Sequence, residues 1–334
     1  MAKHLMRPLM RDSYPIGAEN YAPAIVAAWV EAFPDSVPEN RDKEDWVENA
    51  CFLEAFNRLG LDYTIMEANG TTWVSSSSDT LVSGKGAIAF FHTGIRGSDH
   101  TTGIDYSLPL QSAAALDAIA KHAASPTFRK YAGRQMELVR PDGTAVSEAI
   151  RRIVPEEGEV FIKTIKKEMA SRFRIKAGND AWRQICNQDE GVMWATVQYE
   201  GNSAPFFSVQ GMIKPTFEYR MFMVGDAPVT GAGCVEAFTP LDNRNIFDDQ
   251  MEKVRNQSEV ECCPDIAESY YRFAQQFGRE FSEENGKMLT YSLDLCVDEN
   301  TGNIVPIELN PPMNLGRYAS DIDAWVLAVD ALIK

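Results

Sequence analysis

The segment Tyr291 to Pro312, YSLDLCVDENTGNIVPIELNPP, constrains the fold more than any other stretch. In its first arm Leu293, Leu295 and Val297 share one parity and Asp294 has the other, the period-two pattern of a strand with an apolar and a polar face. Glu299-Asn300-Thr301-Gly302-Asn303 is a run of turn formers. The alternation then resumes from Ile304 to Asn310, with Ile307 and Leu309 on one face and Glu308 and Asn310 on the other. The two arms spell a hairpin. With the turn centred on Thr301, Asp294 and Glu308 fall at equal distances on either side and face each other, about 5 Å apart at Cβ. Facing carboxylates repel, and a cation removes the repulsion. Mg²⁺ takes one or two carboxylates with phosphate oxygens and waters, Mn²⁺ accepts similar donors, and the amide oxygen of Asn310 is a hard ligand of the same kind. On this reading Asp294→Asn or Glu308→Gln leaves the fold intact or slightly more stable. The alternative is a solvated hairpin face carrying scattered acids.

The chain has 334 residues, 45% hydrophobic and 24% charged, which suits one large or two ordinary globular domains. Its formal net charge of -16 repels nucleic acid and anionic membrane, so a polyanion would have to be held by a local basic patch. General nucleic-acid binding is therefore not expected. No apolar run approaches the roughly 20 residues of a membrane span, and the opening MAKHLMRPLMRDSYP lacks the apolar core of a signal peptide. The expectation is a cytoplasmic protein without membrane attachment. Six cysteines, mostly in apolar surroundings, show no CxxC spacing and read as reduced core thiols, with Cys262-Cys263 either a chance loop pair or a redox pair. His4, His92, His100 and His122 have no zinc-site spacing.

In chain order, helical spacing covers 21–33 and 42–59, β-rich runs cover 62–66, 71–75 and 87–91, and helical spacing returns over 111–124, 127–138 and 145–154. A boundary near residue 125 divides the chain into domains 1–125 and 126–334. Ser83-Gly84-Lys85-Gly86 is not a phosphate loop: Asp79 stands where the first glycine is needed, and no Ser or Thr follows the lysine. Gly94 to Asp99 is a flexible loop, either a surface connection or a substrate contact.

Glu159 to Ile165 is a strand in which Val160 and Ile162 share one face and Lys163 the other, and a lysine in so apolar a strand needs an anionic partner or a route to water. Lys166, Lys167, Arg172 and Arg174, with Ser171, follow as a compact basic patch, the best candidate in this acidic chain for holding polyphosphate. Downstream, EYRMFMV sets Glu218 and Arg220 on one face and Tyr219, Met221 and Met223 on the other.

A strand lysine, the segment Phe206 to Lys214, the Glu-x-Arg strand and the Asp…Glu-x-Asn-Pro hairpin, in that order, resemble the ATP-grasp superfamily, and the carboxylate-amine ligases of bacterial and phage clades in particular. The resemblance covers 126–334. It implies an α/β (α+β) fold in which two α/β subdomains clasp ATP, preceded by a small α/β N-terminal domain. It further implies ATP and Mg²⁺ as cofactors, with Asp294, Glu308 and Asn310 on the metal and Lys163 and Lys167 on the nucleotide phosphates. Val209, Gln210 and Met212 would meet the adenine edge through their backbone and Glu218 the ribose. Arg220, with Lys167 and Arg244, would serve the γ-phosphate or the acyl phosphate that replaces it. The family's glycine-rich phosphate loop is absent, and Lys130 is the nearest candidate for its first phosphate lysine. The implied reaction joins a small-molecule or peptide carboxylate to an amine through an acyl phosphate, releasing ADP and phosphate. A kinase of the same fold and a non-catalytic nucleotide-binding module are the alternatives, and a homodimer is open. Arg317 is read either as a contact for a substrate carboxylate or as a surface arginine.

Overall fold

The computed structural model describes residues 3–6, 22–34, 46–69, 72–75, 84–87, 104–105, 113–165, 170–176, 180–198, 207–286, 290–311 and 316–333. They fall into two compact units. The first comprises 1–116, 216–295 and 308–334, and the second 117–215 and 296–307. This partition follows packing and is discontinuous in sequence, whereas the domains 1–125 and 126–334 follow chain order. The expected mixed α/β architecture is what the described residues form.

The first unit opens with β1 (Lys3–Met6), α1 (Pro23–Ala32), α2 (Trp46–Leu59), β2 (Tyr63–Asn69), β3 (Thr72–Ser75), β4 (Gly84–Ala87) and β5 (Ile104–Asp105). Its five-stranded sheet has the order β3-β2-β1-β4-β5 and is parallel except for the β2/β3 hairpin. The run expected at 87–91 overlaps β4 only at Ala87, and its remainder lies outside the described residues, as does the loop from Gly94 to Asp99. α2 is buried along most of its length. Trp29, Trp46, Phe52 and Phe56 form one core with Phe222, Trp325, Val326 and Val329.

After α3 (Ala113–Ala120), the second unit contains α4 (Pro126–Tyr131), β6 (Met136–Val139), α5 (Gly143–Ile153), β7 (Glu157–Thr164), β8 (Ala170–Lys176), α6 (Ala181–Gln188), α7 (Glu190–Gln198) and β9 (Phe207–Gly211). The helix expected over 127–138 stops at Tyr131. Gly133 follows at φ +63°, a left-handed conformation that glycine adopts without strain, and a Cβ there would lie 2.8 Å from Val305 Cγ1. Met136 to Val139 then pairs antiparallel with β9. The sheet order is β6-β9-β7-β8. Val160, Ile162, Phe173, Ile175, Phe207 and Val209 form one buried face of it, packed with Val146, Ile150 and Ile185 of α5 and α6.

The chain continues with β10 (Pro215–Val224), β11 (Ala227–Gly233), β12 (Gln250–Glu252), β13 (Val260–Cys262), α8 (Pro264–Asn285), β14 (Thr290–Asp298), β15 (Ile304–Asn310) and α9 (Ile322–Ile333). β11-β10-β14-β15 is a second four-stranded sheet, so the hairpin expected from the sequence is present and β10 is its neighbour. Asp298 N donates to Asn303 O at 2.9 Å across the turn. α8 buries one stripe, Ala267, Tyr270, Ala274, Phe277, Gly278 and Phe281, at helical spacing. A side chain at Gly278 would meet Asp226 O at 2.4 Å, so only glycine permits this approach. Among the described residues no helix is long and apolar enough to cross a membrane. The six cysteines are free, but only Cys51, Cys234 and Cys296 are buried, so Cys262 and Cys263 are not core thiols.

Candidate functional site

The adjacency of β10 and β14 brings Arg220 to Asp294. Arg220 Nε and Nη2 donate to Asp294 Oδ1 and Oδ2 at 2.9 and 2.7 Å, a bidentate fork whose side chains are 10% and 9% exposed. Arg220 Nη1 donates to Gly316 O at 3.2 Å, and the guanidinium lies 5.3 Å from the centre of the Tyr318 ring. Burial alone would lower the guanidinium pKa, but the charge and hydrogen bonds of Asp294 hold it well above the ordinary value. The polar face of β14 is therefore not wet. Ser292 and Asp294 are buried along with Leu293 and Leu295, and Ser292 Oγ donates to Asp294 Oδ1 at 3.3 Å.

Asn310 Nδ2 donates to Asp294 Oδ2 at 2.9 Å, which leaves Asn310 Oδ1 buried with no hydrogen-bond partner among the described residues. An unsatisfied buried acceptor costs about 1–3 kcal/mol, and a hard cation would satisfy it. Glu308, next on the same face of β15, is half-buried, and its charge and that of Asp294 both reach Glu218. The oxygens of Asp294, Glu308 and Asn310 are thus a donor set that fits Mg²⁺ or Mn²⁺. Among the described residues no three His, Cys, Asp or Glu side chains form a metal cage by themselves. An ion held here needs further oxygens, as Mg²⁺ usually takes from phosphates and water.

Glu218 is half-buried, with Arg255 Nη1 3.8 Å from its carboxylate. Desolvation raises its pKa above the usual carboxylate range, Arg255 opposes the rise, and Asp294 and Glu308 add to it. A carboxyl group whose folded pKa exceeds its unfolded value of about 4.3 binds its proton more tightly in the native state. Its contribution to stability is complete below the unfolded pKa and is lost as pH rises through the folded one. Glu218→Gln should therefore raise the urea midpoint at pH 7 and change it little at pH 4. An equal shift at both pH values would refute this account of the residue.

In the second unit the parity read from the sequence holds. Lys163 is opposite Ser208 on β9 and Ala170 on β8, on the face away from Val160 and Ile162, and it is buried. Gln210 shares that face, donating from Nε2 to Ser208 Oγ at 2.8 Å and accepting from Arg134 Nε at 3.1 Å. Arg134 also donates to the carbonyls of Pro306 and Ile307, both at 3.0 Å. Lys167 lies outside the described residues. The basic patch around it is partly neutralised across the hairpin, with Arg172 3.9 Å from Glu159 and Arg174 3.8 Å from Glu157, exposed pairs of the kind worth at most about 1 kcal/mol.

β9 is flanked by β6 and β7, so the main-chain groups of Val209 and Gln210 belong to the two ladders. Met212 lies just past the end of β9 and is exposed, so the part of the segment expected at the adenine edge that lies outside the ladders begins there. Arg244 is exposed. Its described contacts, backbone N to Asp248 and Nη1 to Cys262 Sγ at 2.6 Å, do not include the Arg220–Asp294 group.

The chain matches no family model and no curated protein. Among solved structures it is similar to ATP-grasp ligases. D-cycloserine synthetase DcsG aligns at 12% identity and a TM-score of 0.49 over 85% of this chain and 93% of that one. D-alanyl-alanine synthetase A from Vibrio cholerae aligns at 8% and 0.49 over 100% and 99%. The ATP-grasp ligase PsnB, solved with Mg and ADP, aligns at 12% and 0.46 over 87% and 95%. At these identities and scores the likeness assigns neither an activity nor a substrate to the chain.

Two contributors to the site carry no motif. Arg255 donates from Nη2 to Glu236 Oε1 at 2.9 Å and to the Tyr318 hydroxyl at 3.2 Å and lies 3.8 Å from Glu218, so it links both acids to the tyrosine that packs on Arg220. Tyr318 holds a left-handed backbone at φ +50°, an unusual conformation for a large side chain. Burial pushes the Cys234 thiol, among these charges, up to about 12, so it is not a nucleophile at neutral pH. Arg317, open between surface and substrate roles in the sequence, is neither exposed nor free to meet a ligand, being only 2% accessible.

Proposed function

We propose that the chain is an ATP-dependent ligase of the ATP-grasp type, joining a small-molecule or peptide carboxylate to an amine through an acyl phosphate, with release of ADP and phosphate. The observation that carries this reading is the buried Arg220–Asp294 fork beside the unsatisfied oxygen of Asn310, with Glu308 next to it. Cation and anion partners for a metal–phosphate group stand together there, preorganised in a buried setting where electrostatic stabilisation is strongest. ATP with Mg²⁺ or Mn²⁺ would supply the phosphoryl group that activates the carboxylate.

In this reading Asp294, Glu308 and Asn310 hold the metal, and Arg220 faces the transferred phosphoryl group. Lys163 and Lys167 serve the other phosphates, Glu218 the ribose, and the end of the Val209-Gln210-Gly211-Met212 segment the adenine, with Arg244 as a further phosphate-directed cation. Their work is positioning and charge neutralisation, and no protein nucleophile is needed. Residues 126–334 would form the ATP-grasp domain and 1–125 the domain before it. The protein would act in the cytoplasm, as a monomer or homodimer, without binding nucleic acid or membrane. A kinase is the second reading, because Glu218 has the raised proton affinity that a base for a hydroxyl acceptor needs.

The first test is calorimetry of the folded protein with ATP, with and without Mg²⁺. Binding should be saturable at millimolar ATP and much weaker without the metal. No binding heat, with ADP also failing to bind, would end the assignment.

A further inference from the structure

Arg317 is a charge buried where nothing in the proposed chemistry calls for one. Its guanidinium lies 4.8 Å from the ring centre of Phe52, 5.4 Å from that of Phe222 and 5.6 Å from that of Trp325, and its Nε and Nη1 have no hydrogen-bond partner among the described residues. Desolvation lowers its pKa to about 10, against the pull of Glu48. A guanidinium enclosed this way stabilises a fold poorly, since a hydrophobic side chain of similar volume would do as well or better. Its effect on its neighbours is specific. The backbone N–H of Arg317 donates to Glu48 on α2, and its C=O accepts from Ser320 N at 3.1 Å. The residue before it gives its carbonyl to Arg220, and the residue after it lays its ring over Arg220 and accepts from Arg255.

We propose that Gly316-Arg317-Tyr318 is a strap that positions Arg220, and that Arg317 is its anchor, driven into the aromatic box of Phe52, Phe222 and Trp325 and tied by its backbone to Glu48. The left-handed backbone of Tyr318 fits this role. An unfavourable conformation persists only where the surroundings impose it, here from Arg317 on one side and from Arg220 and Arg255 on the other. Arg317 is thus a positioning residue. It touches neither metal nor nucleotide in the proposed reaction, and the functional weight of the strap rests on Arg220 being the phosphate-directed cation.

The test reads Arg220 itself. In protein carrying ¹⁵N-labelled arginine, the Nε–H of Arg220, assigned with Arg220→Lys, should be protected from solvent exchange by its buried bond to Asp294. In Arg317→Met that exchange should accelerate at least about tenfold by local opening, while the melting temperature holds or rises. Glu48→Gln keeps an acceptor for the Arg317 N–H but removes the carboxylate charge acting on the buried guanidinium, so the melting temperature should fall while Arg220 exchange stays at the parent's rate, whereas Glu48→Ala, which removes the acceptor as well, should accelerate exchange. A folded Arg317→Met with unchanged Arg220 exchange overturns the proposal. If that variant does not fold, Glu48→Ala decides, and unchanged exchange there overturns it equally. The exchange measurement needs no ligand. Failure to bind Mg²⁺ and ATP would sink the ligase reading and leave the strap, while unchanged exchange with intact binding would sink only the strap.

Discussion

Asp294→Asn is expected to destabilise the protein by about 3–5 kcal/mol, because it leaves the buried guanidinium of Arg220 without its counter-charge. From the sequence alone the same substitution relieves carboxylate repulsion and is harmless to the fold. The structure reverses that expectation, since Arg220 Nε and Nη2 have already neutralised Asp294. Glu308→Gln should differ: the side chain is half-buried, and losing its charge removes repulsion on Glu218 without uncovering a buried cation. Both variants should lower turnover per folded molecule by orders of magnitude, since both remove a proposed metal ligand. Only Asp294→Asn should also lower the urea midpoint strongly. The double variant Asp294→Asn with Arg220→Met should recover most of that stability, because no buried charge is left unpaired. Equal midpoints for the two single variants would show that the fork contributes nothing to the fold.

The contrast between these carboxylates shows where the sequence stops being legible. Alternation within Tyr291 to Asn310 and within Glu218 to Val224 marked both strands and the faces of their polar residues, because strand parity is a local property. The pairing of β10 with β14 is not local. Arg220 and Asp294 are separated by 74 residues, and no spacing rule announces their fork, so from the sequence each awaits a ligand instead of its partner. Met136 to Val139, Met-Glu-Leu-Val, is too short to carry a decisive period after the helical run before it, and only its pairing with β9 makes it a strand. The stripe of α8, Ala267, Tyr270, Ala274, Phe277 and Phe281, has helical spacing, a signal that the expectations above leave unused. Arg317 carries no such signal. Its burial depends on aromatic rings from α2, β10 and α9, and its link to Glu48 spans 269 residues.

Hydroxylamine supplied in place of the amine should be converted to a hydroxamate, with ADP formed only when the correct carboxylate is present. A ligase must form an acyl phosphate, and hydroxylamine is small and nucleophilic enough to intercept it. A kinase makes a phosphomonoester that hydroxylamine cannot divert, so the outcome is all or none. The ligase result is expected because Arg220 is gripped on three sides, by Asp294, Gly316 O and the Tyr318 ring, as suits a cation that must stay in register with a phosphoryl group moving between acceptors. The competing reading turns on Glu218. If that carboxylate is a base for a hydroxyl acceptor, Glu218→Gln should abolish phosphoryl transfer and remove an acidic limb from the pH–rate profile. If Glu218 holds the ribose, the same variant should chiefly weaken ATP binding and leave the rate at saturating ATP within about tenfold of the parent, since one hydrogen bond to a charged group is worth about 1.5–3 kcal/mol. A phosphomonoester seen by phosphorus NMR, with no hydroxamate from any carboxylate tried and no turnover in Glu218→Gln, would make the protein a kinase.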